Sequence, residues 1–208
     1  MPRRAGSADL ISTIGTAQAG ALAAAFFRDT WRMVCSLPWA MPVAATSGRL
    51  AADLHPPAVA VWRQRGGDLG KRLERILRQA LREADFVIAL GADHPGLPTR
   101  LLQDARIQLR HADAVLGPSE DGGFYLLALK QCPARLLAGL PWTQRETFAH
   151  TLVRLREHGL VTRVLEPWCG VGDAEDLERL EALLSSGQVH APETERVLAE
   201  IRKTVATG

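Results

Sequence analysis

The amino-acid sequence predicts an α/β protein with a mainly parallel sheet and helices on both of its faces. Apolar runs typical of buried strands, such as residues 86–90, alternate with amphipathic helical patterns such as residues 71–83. No internal repeat or low-complexity linker interrupts this order. Strands that alternate with helices are most readily joined as a parallel sheet, because each helix carries the chain back to the start of the next strand.

The individual elements follow from local patterns. Helices with an apolar stripe at three- and four-residue spacing are predicted over residues 16–34, 71–83, 98–110, 147–158, 173–184 and 192–203. Strands with apolar or alternating character are predicted over residues 43–46, 86–90, 112–116, 124–129 and 160–165. Residues 50–61 contain Pro56-Pro57, which favours a short helical turn followed by extended chain. Residues 1–9 are polar and basic, so no strand is predicted at the start.

Bulk composition limits the function classes. The chain has 208 residues, which favours a single domain over residues 1–208. A formal charge of +2 gives no electrostatic reason to expect a nucleic-acid or membrane partner. No apolar run reaches the length of about 18 residues that a transmembrane helix needs. Three widely spaced cysteines fit a reducing compartment, so we expect a cytoplasmic protein.

The most informative segment is an acidic Gly-Gly corner between two predicted strands, residues 117–125. Gly122 and Gly123 can adopt positive φ and allow another molecule to approach the backbone. Asp121 could bind an acceptor hydroxyl, contact a metal, or only stabilise the turn. Tyr125 could line a pocket or pack in the core. Trp142 could likewise line a pocket or pack in the core, and the core is favoured.

A second candidate is Asp93, which follows the apolar strand 86–90 and a turn at Gly91. Carboxylates at the carboxyl ends of such strands hold phosphates and metals in open α/β sheets. Mg²⁺ or Mn²⁺, which prefer oxygen ligands and substrate phosphates, would suit Asp93. An N-cap role for the following helix is equally compatible with the sequence. The neighbouring His94 could be a further ligand, but a histidine in such a loop is more often simply exposed, and we expect it to be exposed.

A glycine-rich loop precedes the helix 71–83. Backbone N–H groups of Gly66, Gly67 and Asp68 could bind a phosphate, and Arg72 would suit a diphosphate. Such loops are a weak signal by themselves, and solvated surface arginines are the alternative.

Together these segments resemble a known family. The motifs that carry the resemblance occur in order at residues 66–72, 91–95, 117–125 and 140–143. They are similar to the GT-A-type transferases called rSAM/selenodomain-associated transferase 1, whose fold is similar to that of the molybdenum cofactor and phospholactate guanylyltransferases. The similarity runs from about residue 10 to residue 200, and the acidic corner is its most specific motif.

The resemblance implies a GT-A three-layer sandwich that transfers a sugar or nucleotidyl group from a nucleotide-activated donor with a divalent metal. In that reading Asp93 and Asp121 are catalytic, and Asp93 and Asp173 hold Mg²⁺ or Mn²⁺. The nucleotide-binding residues are Gly66, Gly67, Asp68, Arg72 and Gly91, and the acceptor-binding residues are Gly122, Gly123, Tyr125 and Trp142. The partners would be a nucleotide-sugar donor and a small-molecule acceptor, and a homo-oligomer is one option. The alternative is a non-catalytic member that acts as a binding or assembly subunit.

The sequence departs from the family pattern at two places. The first strand is missing, and Ser7 and Asp9 stand in the segment where the family has a basic phosphate loop. Gly170 and Gly172 stand where the family has two aspartates. Because the first strand of this fold is central, we predict that another segment or a second chain fills its place. A gene start upstream of Met1 would also account for the missing strand.

Overall fold

The computed structural model describes residues 5–48, 60–142 and 144–206. Within these ranges the chain forms seven helices and six strands. The helices are α1 (Ala5–Ile14), α2 (Thr16–Cys35), α3 (Leu69–Ala80), α4 (Thr99–Gln108), α5 (Thr147–Glu157), α6 (Ala174–Ser185) and α7 (Pro192–Ala206). The strands are β1 (Val43–Thr46), β2 (Ala60–Arg63), β3 (Val87–Leu90), β4 (Ala114–Pro118), β5 (Phe124–Leu129) and β6 (Thr162–Val164). The predicted turn around Pro56-Pro57 lies outside the described residues.

The chain divides into two compact units. The sheet unit comprises residues 1–2, 42–91 and 100–168, and the helical unit comprises residues 3–41, 92–99 and 169–208. A single domain over residues 1–208 therefore stays a prediction. No helix in the described ranges is both long enough and apolar enough to cross a membrane.

In the sheet unit, four strands are ordered β3-β5-β4-β6, and β1 and β2 form a separate pair. Strand β5 is antiparallel to both β3 and β4, whereas β6 is parallel to β4 and β2 is parallel to β1. The α/β class is confirmed. The described strand pairs are mixed rather than mainly parallel, because the corner 119–123 returns the chain directly beside β4.

The core of the sheet unit lies around the two central strands. Leu116 of β4 and Leu127 of β5 are fully buried and pack with Leu77 of α3 and Leu155 of α5. Strand β5 has a neighbouring strand on each side, and five consecutive residues of it are buried, so side chains on both of its faces are covered. A strand covered on both faces is an apolar run, which is why residues 124–129 carry no charge. The corner 117–125 connects these two buried strands, which fix its position.

In the helical unit, α2 and α7 pack together, and a buried carboxylate joins them. Asp29 of α2 accepts hydrogen bonds from the backbone N–H groups of Glu193 and Thr194, at 3.1 and 2.9 Å. Its Oδ2 also accepts the Thr194 hydroxyl at 2.7 Å. Residues 5–14, where no strand was predicted, form α1, so Ser7 and Asp9 lie in a helix.

Strand β3 is an edge of its sheet among the described residues, since only β5 pairs with it. All four of its apolar side chains are half-buried, in contrast to those of β4 and β5. No described strand occupies the place that we predicted another segment or a second chain to fill. The filling of this place stays a prediction, and hydrogen exchange can test it.

We expect the amides of β3 to alternate in their exchange rates. The Gly91 N–H donates to the Tyr125 carbonyl at 3.0 Å. In an antiparallel pair every second residue forms such bonds, so the N–H groups of Val87 and Ala89 also point toward β5, and those of Ile88 and Leu90 point away from it. Ile88 and Leu90 should therefore exchange at least about tenfold faster than Ala89 in an NMR hydrogen-exchange experiment. Equal protection of all four amides would show instead that a further strand pairs with this edge.

Candidate functional site

Asp93 lies in the helical unit, three residues after the end of β3. Its side chain is 34% exposed, and its Oδ1 is 2.9 Å from Nδ1 of His94. His94 is buried, with 1% of its surface exposed, so the expectation that it is an exposed loop residue is wrong. The Asp93 carboxylate is therefore partly exposed and lies beside a buried imidazole.

The N-cap alternative for Asp93 is not supported by the helix bounds. Helix α4 begins at Thr99, so residue 98 and not Asp93 holds the position before its first turn. Asp93 is therefore not the N-cap of α4.

The segment 170–173 lies beside Asp93 in the same unit. The Val171 N–H donates to the Asp93 backbone carbonyl at 3.1 Å. Asp173 is the N-cap of α6, and its Oδ1 accepts the Asp176 N–H at 2.9 Å. Asp176 in turn accepts the Gly172 N–H at 2.9 Å. The structure therefore brings together the segments of Asp93 and Asp173, the two metal ligands that the resemblance implies. The Asp173 carboxylate, however, is used to cap α6.

The donor set limits how a metal could be held here. In the part of the chain that the structure describes, no group of three or more His, Cys, Asp or Glu side chains is arranged to hold a metal ion. Mg²⁺ commonly takes one or two protein carboxylates and completes its shell with water and substrate phosphates. Asp93 fits that minimal arrangement, in which the ion would arrive with a diphosphate. The role of Asp173 as a ligand stays a prediction.

The acidic corner is a tightly hydrogen-bonded turn in the sheet unit. Oδ1 of Asp121 accepts the Gly123 N–H at 2.9 Å and the Ser119 hydroxyl. The Gly122 N–H donates to the Ser119 carbonyl at 3.0 Å, and the Ser119 N–H donates to the Gly123 carbonyl at 3.0 Å. Asp121 therefore stabilises the turn, one of the alternatives that the sequence left open. Its side chain is also exposed, so acceptor binding stays a prediction.

Gly122 is required by the close approach of the chain's own backbone. It has φ of 83°, and an added Cβ would lie 2.6 Å from the carbonyl carbon and from Cα of Arg145. The Phe148 N–H at the start of α5 donates to the Gly122 carbonyl at 2.9 Å. The corner is thus docked on the segment that leads into α5. The sequence predicted that another molecule could approach the backbone at this glycine, and the structure shows that the chain's own backbone at Arg145 approaches it.

The two aromatic acceptor candidates are packed rather than open. Tyr125 is fully buried, and its hydroxyl donates to the Glu166 carbonyl at 3.1 Å. Burial raises the pKa of this phenol. The Trp142 ring packs edge-to-face on Phe124 with centroids 5.9 Å apart, and its Nε1 is buried without a hydrogen-bond partner among the described residues. Their contacts with an acceptor stay predictions. Thr143 lies outside the described residues.

The glycine-rich loop ends at the N-terminus of α3. Asp68 is the N-cap and accepts the Lys71 N–H at 2.8 Å, and this hydrogen bond lowers the Asp68 pKa. Gly67 has φ of 117°, and the Gly66 carbonyl accepts a hydrogen bond from Arg75. Nε of Arg72 is buried without a hydrogen-bond partner among the described residues.

The exposed surface of this loop is positively charged. Arg63, Arg65 and Lys71 are exposed around it, and Asp68 is the acidic residue among them. Gly70 of α3 packs against the Leu137 backbone, since an added Cβ would lie 2.9 Å from the Leu137 carbonyl carbon. The helix N-terminus and the surrounding cations suit an anionic ligand.

Comparison with known proteins identifies the family. A family described as "Uncharacterized protein conserved in bacteria (DUF2064)" matches residues 33–144, which include the glycine-rich loop, Asp93 and the acidic corner. The chain belongs to this family. A search of curated proteins found no match.

Two solved structures have folds similar to that of the DUF2064 chain. A protein from Desulfovibrio desulfuricans G20, described as a "putative nucleotide-diphospho-sugar transferase", is 26% identical with a TM-score of 0.83. The similarity covers 95% of this chain and 90% of that chain. CMP:2-keto-3-deoxy-manno-octonic acid synthetase complexed with CTP is 15% identical with a TM-score of 0.53, over 78% of this chain and 88% of that chain. The latter shows the fold alone. The predicted nucleotide-diphospho-sugar transferase fold is confirmed.

Proposed function

We propose that the chain is a transferase that takes a sugar or nucleotidyl group from a nucleotide-activated donor. The observation that carries this proposal is the similarity of nearly the whole chain to the Desulfovibrio protein, at 26% identity and a TM-score of 0.83. Within the broader fold, the motifs at residues 66–72, 91–95 and 117–125 favour the rSAM/selenodomain-associated transferase 1 group. The partners would be a nucleotide-sugar donor and a small-molecule acceptor in the cytoplasm.

In this proposal each segment has a distinct role. The loop from Gly66 to Arg72, with Gly91, binds the nucleotide, because its N–H groups and guanidinium groups suit phosphate oxygens. Asp93 would hold Mg²⁺ or Mn²⁺ with the donor diphosphate, and Asp173 is the second candidate ligand. Such an ion would neutralise charge on the leaving group. Asp121, Gly122 and Gly123 form a rigid edge on which the acceptor would be positioned.

A second candidate function follows from the segment beside Asp93. Residues 170 and 172 are glycines, so they add no carboxylate next to Asp93. A member with this reduced donor set would bind nucleotide as a binding or assembly subunit and would not turn it over. The two candidates share the fold and differ in whether Asp93 and a divalent ion matter for ligand binding.

Calorimetric titration with UDP-sugars and GDP-sugars, with and without Mg²⁺, tests the proposal. We expect binding that needs Mg²⁺ and is weakened at least about tenfold by Asp93→Ala, since contacts between charged partners contribute about 1.5–3 kcal/mol each. Mn²⁺ alone should bind weakly, because the chain supplies few ligands. Asp85→Ala is the matched control, because Asp85 is an exposed aspartate just before β3, whereas Asp93 follows it.

The outcomes separate the two candidates. Binding of a donor that is independent of Mg²⁺ and unchanged by Asp93→Ala would favour the non-catalytic function. Absence of heat with every donor, for a protein shown to be folded by circular dichroism, would overturn both.

A further inference from the structure

The Trp142 side chain connects two segments of the sheet unit that the proposed function assigns to different ligands. Its ring packs edge-to-face on Phe124, the first residue of β5, with the ring centroids 5.9 Å apart. Its Nε1 lies against the first turn of α3, because a Cβ added at Gly70 would be 3.3 Å from that nitrogen. The acidic corner and the N-terminus of α3 are therefore separated by one indole ring.

The indole N–H of Trp142 is a buried hydrogen-bond donor that lacks an acceptor. Nε1 has no hydrogen-bond partner among the described residues. A buried donor without a partner is unfavourable, so such groups in native proteins usually meet an oxygen of the protein, of water or of a ligand. An indole nitrogen donates and does not accept, so a ligand that binds beside it must offer an acceptor atom.

The first turn of α3 also requires an acceptor. Asp68 accepts the Lys71 N–H at 2.8 Å, but no acceptor for the N–H groups of Leu69 and Gly70 lies among the described residues. This end of the helix carries the positive end of the helix dipole, and exposed cations surround the loop before it. These surroundings favour a negatively charged acceptor over a neutral one.

We propose that the Trp142 N–H donates to a phosphate oxygen of the nucleotide donor, bound at the first turn of α3. This inference rests on the proposed function. It assigns Trp142 to the donor, whereas the resemblance assigns it to the acceptor. Because the same ring packs on Phe124, the bound phosphate lies next to the corner that positions the acceptor, as direct transfer between two bound ligands requires.

Inorganic pyrophosphate, which has neither sugar nor base, is the probe that tests this contact. In calorimetric titrations Trp142→Phe, which removes the N–H and keeps an aromatic ring, should raise the dissociation constant for pyrophosphate at least about tenfold. Trp168→Phe is the matched control. The Trp168 Nε1 is also buried without a partner among the described residues, but Trp168 pairs with Ser119 at the end of β4. Trp168→Phe should bind pyrophosphate like the wild type.

NMR of the wild-type chain gives a second readout that needs no variant. The chain has five tryptophans, whose indole N–H signals can be assigned by triple-resonance experiments. On addition of pyrophosphate, the Trp142 indole signal should move most, because its proton gains a charge-assisted hydrogen bond. A Trp142 signal that stays in place while pyrophosphate binds would overturn the inference, even if Trp142→Phe failed to fold.

Titrations with nucleotide sugars separate this inference from the proposed function. A nucleotide sugar that binds Trp142→Phe as tightly as the wild type would overturn the inference and leave the proposed function standing. Pyrophosphate binding that depends on Trp142, without binding of any nucleotide sugar, would support the contact and overturn the proposed function. Equal weakening by Trp142→Phe and Trp168→Phe would also overturn the inference. Binding of neither pyrophosphate nor a nucleotide sugar would overturn both.

Discussion

Gly122→Ala is expected to lower the free energy of unfolding by at least about 3 kcal/mol. Residue 122 has φ of 83°, which disfavours any residue with a Cβ. The new methyl would also lie 2.6 Å from the Arg145 carbonyl carbon, which is backbone and cannot rotate away. Relief would require the corner and the start of α5 to separate, with loss of the hydrogen bond from Phe148 N–H to the Gly122 carbonyl.

Gly139→Ala is the matched control for this substitution. Gly139 has φ of 68° and no heavy atom within 4 Å of an added Cβ, so only the backbone strain applies. We expect a loss of about 1 kcal/mol for Gly139→Ala. Urea denaturation of the two variants measures the difference directly. Equal losses for Gly122→Ala and Gly139→Ala would show that the contact with Arg145 does not constrain the corner.

This prediction bears on function because the same contact holds Asp121. The Asp121 carboxylate accepts hydrogen bonds within the turn, so a corner displaced from Arg145 would no longer present that carboxylate at a fixed position. A site that positions an acceptor needs such rigidity, since small displacements of reacting groups are costly in rate. A conservative change at residue 122 should therefore affect any transferase activity beyond its effect on stability.

The parts of the fold that the sequence predicted are those that leave a pattern among neighbouring residues. The corner was predictable because Gly122-Gly123 separates two apolar runs, and the structure has β4 and β5 on either side of it. The turn role of Asp121 was among the stated alternatives because aspartate commonly accepts backbone N–H groups two residues on. The mixed direction of the sheet was not predicted, since period-2 patterning reports a strand but not which neighbour it pairs with.

The parts that sequence could not reveal depend on contacts between distant segments. The burial of His94 has no local signal, since a histidine between Asp93 and Pro95 looks like an ordinary loop residue. The partner of Gly122 lies 23 positions further along, at Arg145, and no periodicity connects the two. In the same way, only the resemblance connected Asp173 with Asp93, and the hydrogen bond from the Val171 N–H to the Asp93 carbonyl now joins their two segments.

Asp29→Ala is expected to destabilise the helical unit by about 3–5 kcal/mol, the second large effect. The residue before α7 is Ala191, which has no side-chain acceptor for the free N–H groups of the first helical turn. Asp29 supplies that acceptor from α2, with a side chain only 3% exposed. Removing it leaves the buried N–H and hydroxyl of Thr194 and the part-buried N–H of Glu193 without their acceptor.

The neighbouring Arg32 provides a matched control. Its guanidinium lies 3.9 Å from the Asp29 carboxylate and 3.0 Å from that of Glu193, but its side chain is 59% exposed. Exposed ion pairs contribute about 0–1 kcal/mol, so Arg32→Ala should cost less than about 1 kcal/mol. Asp29→Asn, which keeps an acceptor oxygen and loses the charge, should fall between Arg32→Ala and Asp29→Ala.

A double-mutant cycle separates the capping interaction from the loss of packing. If Asp29 stabilises α7 through the hydrogen bonds seen here, Thr194→Val should cost about 1 kcal/mol alone and less in the Asp29→Ala background, because its partner is already gone. Additive losses would mean that the Thr194 hydroxyl and the Asp29 carboxylate act independently. If Asp29→Ala lowered the free energy of unfolding and Asp29→Asn did not, an acceptor oxygen at residue 29 would be sufficient. The negative charge at the start of α7 would then contribute little.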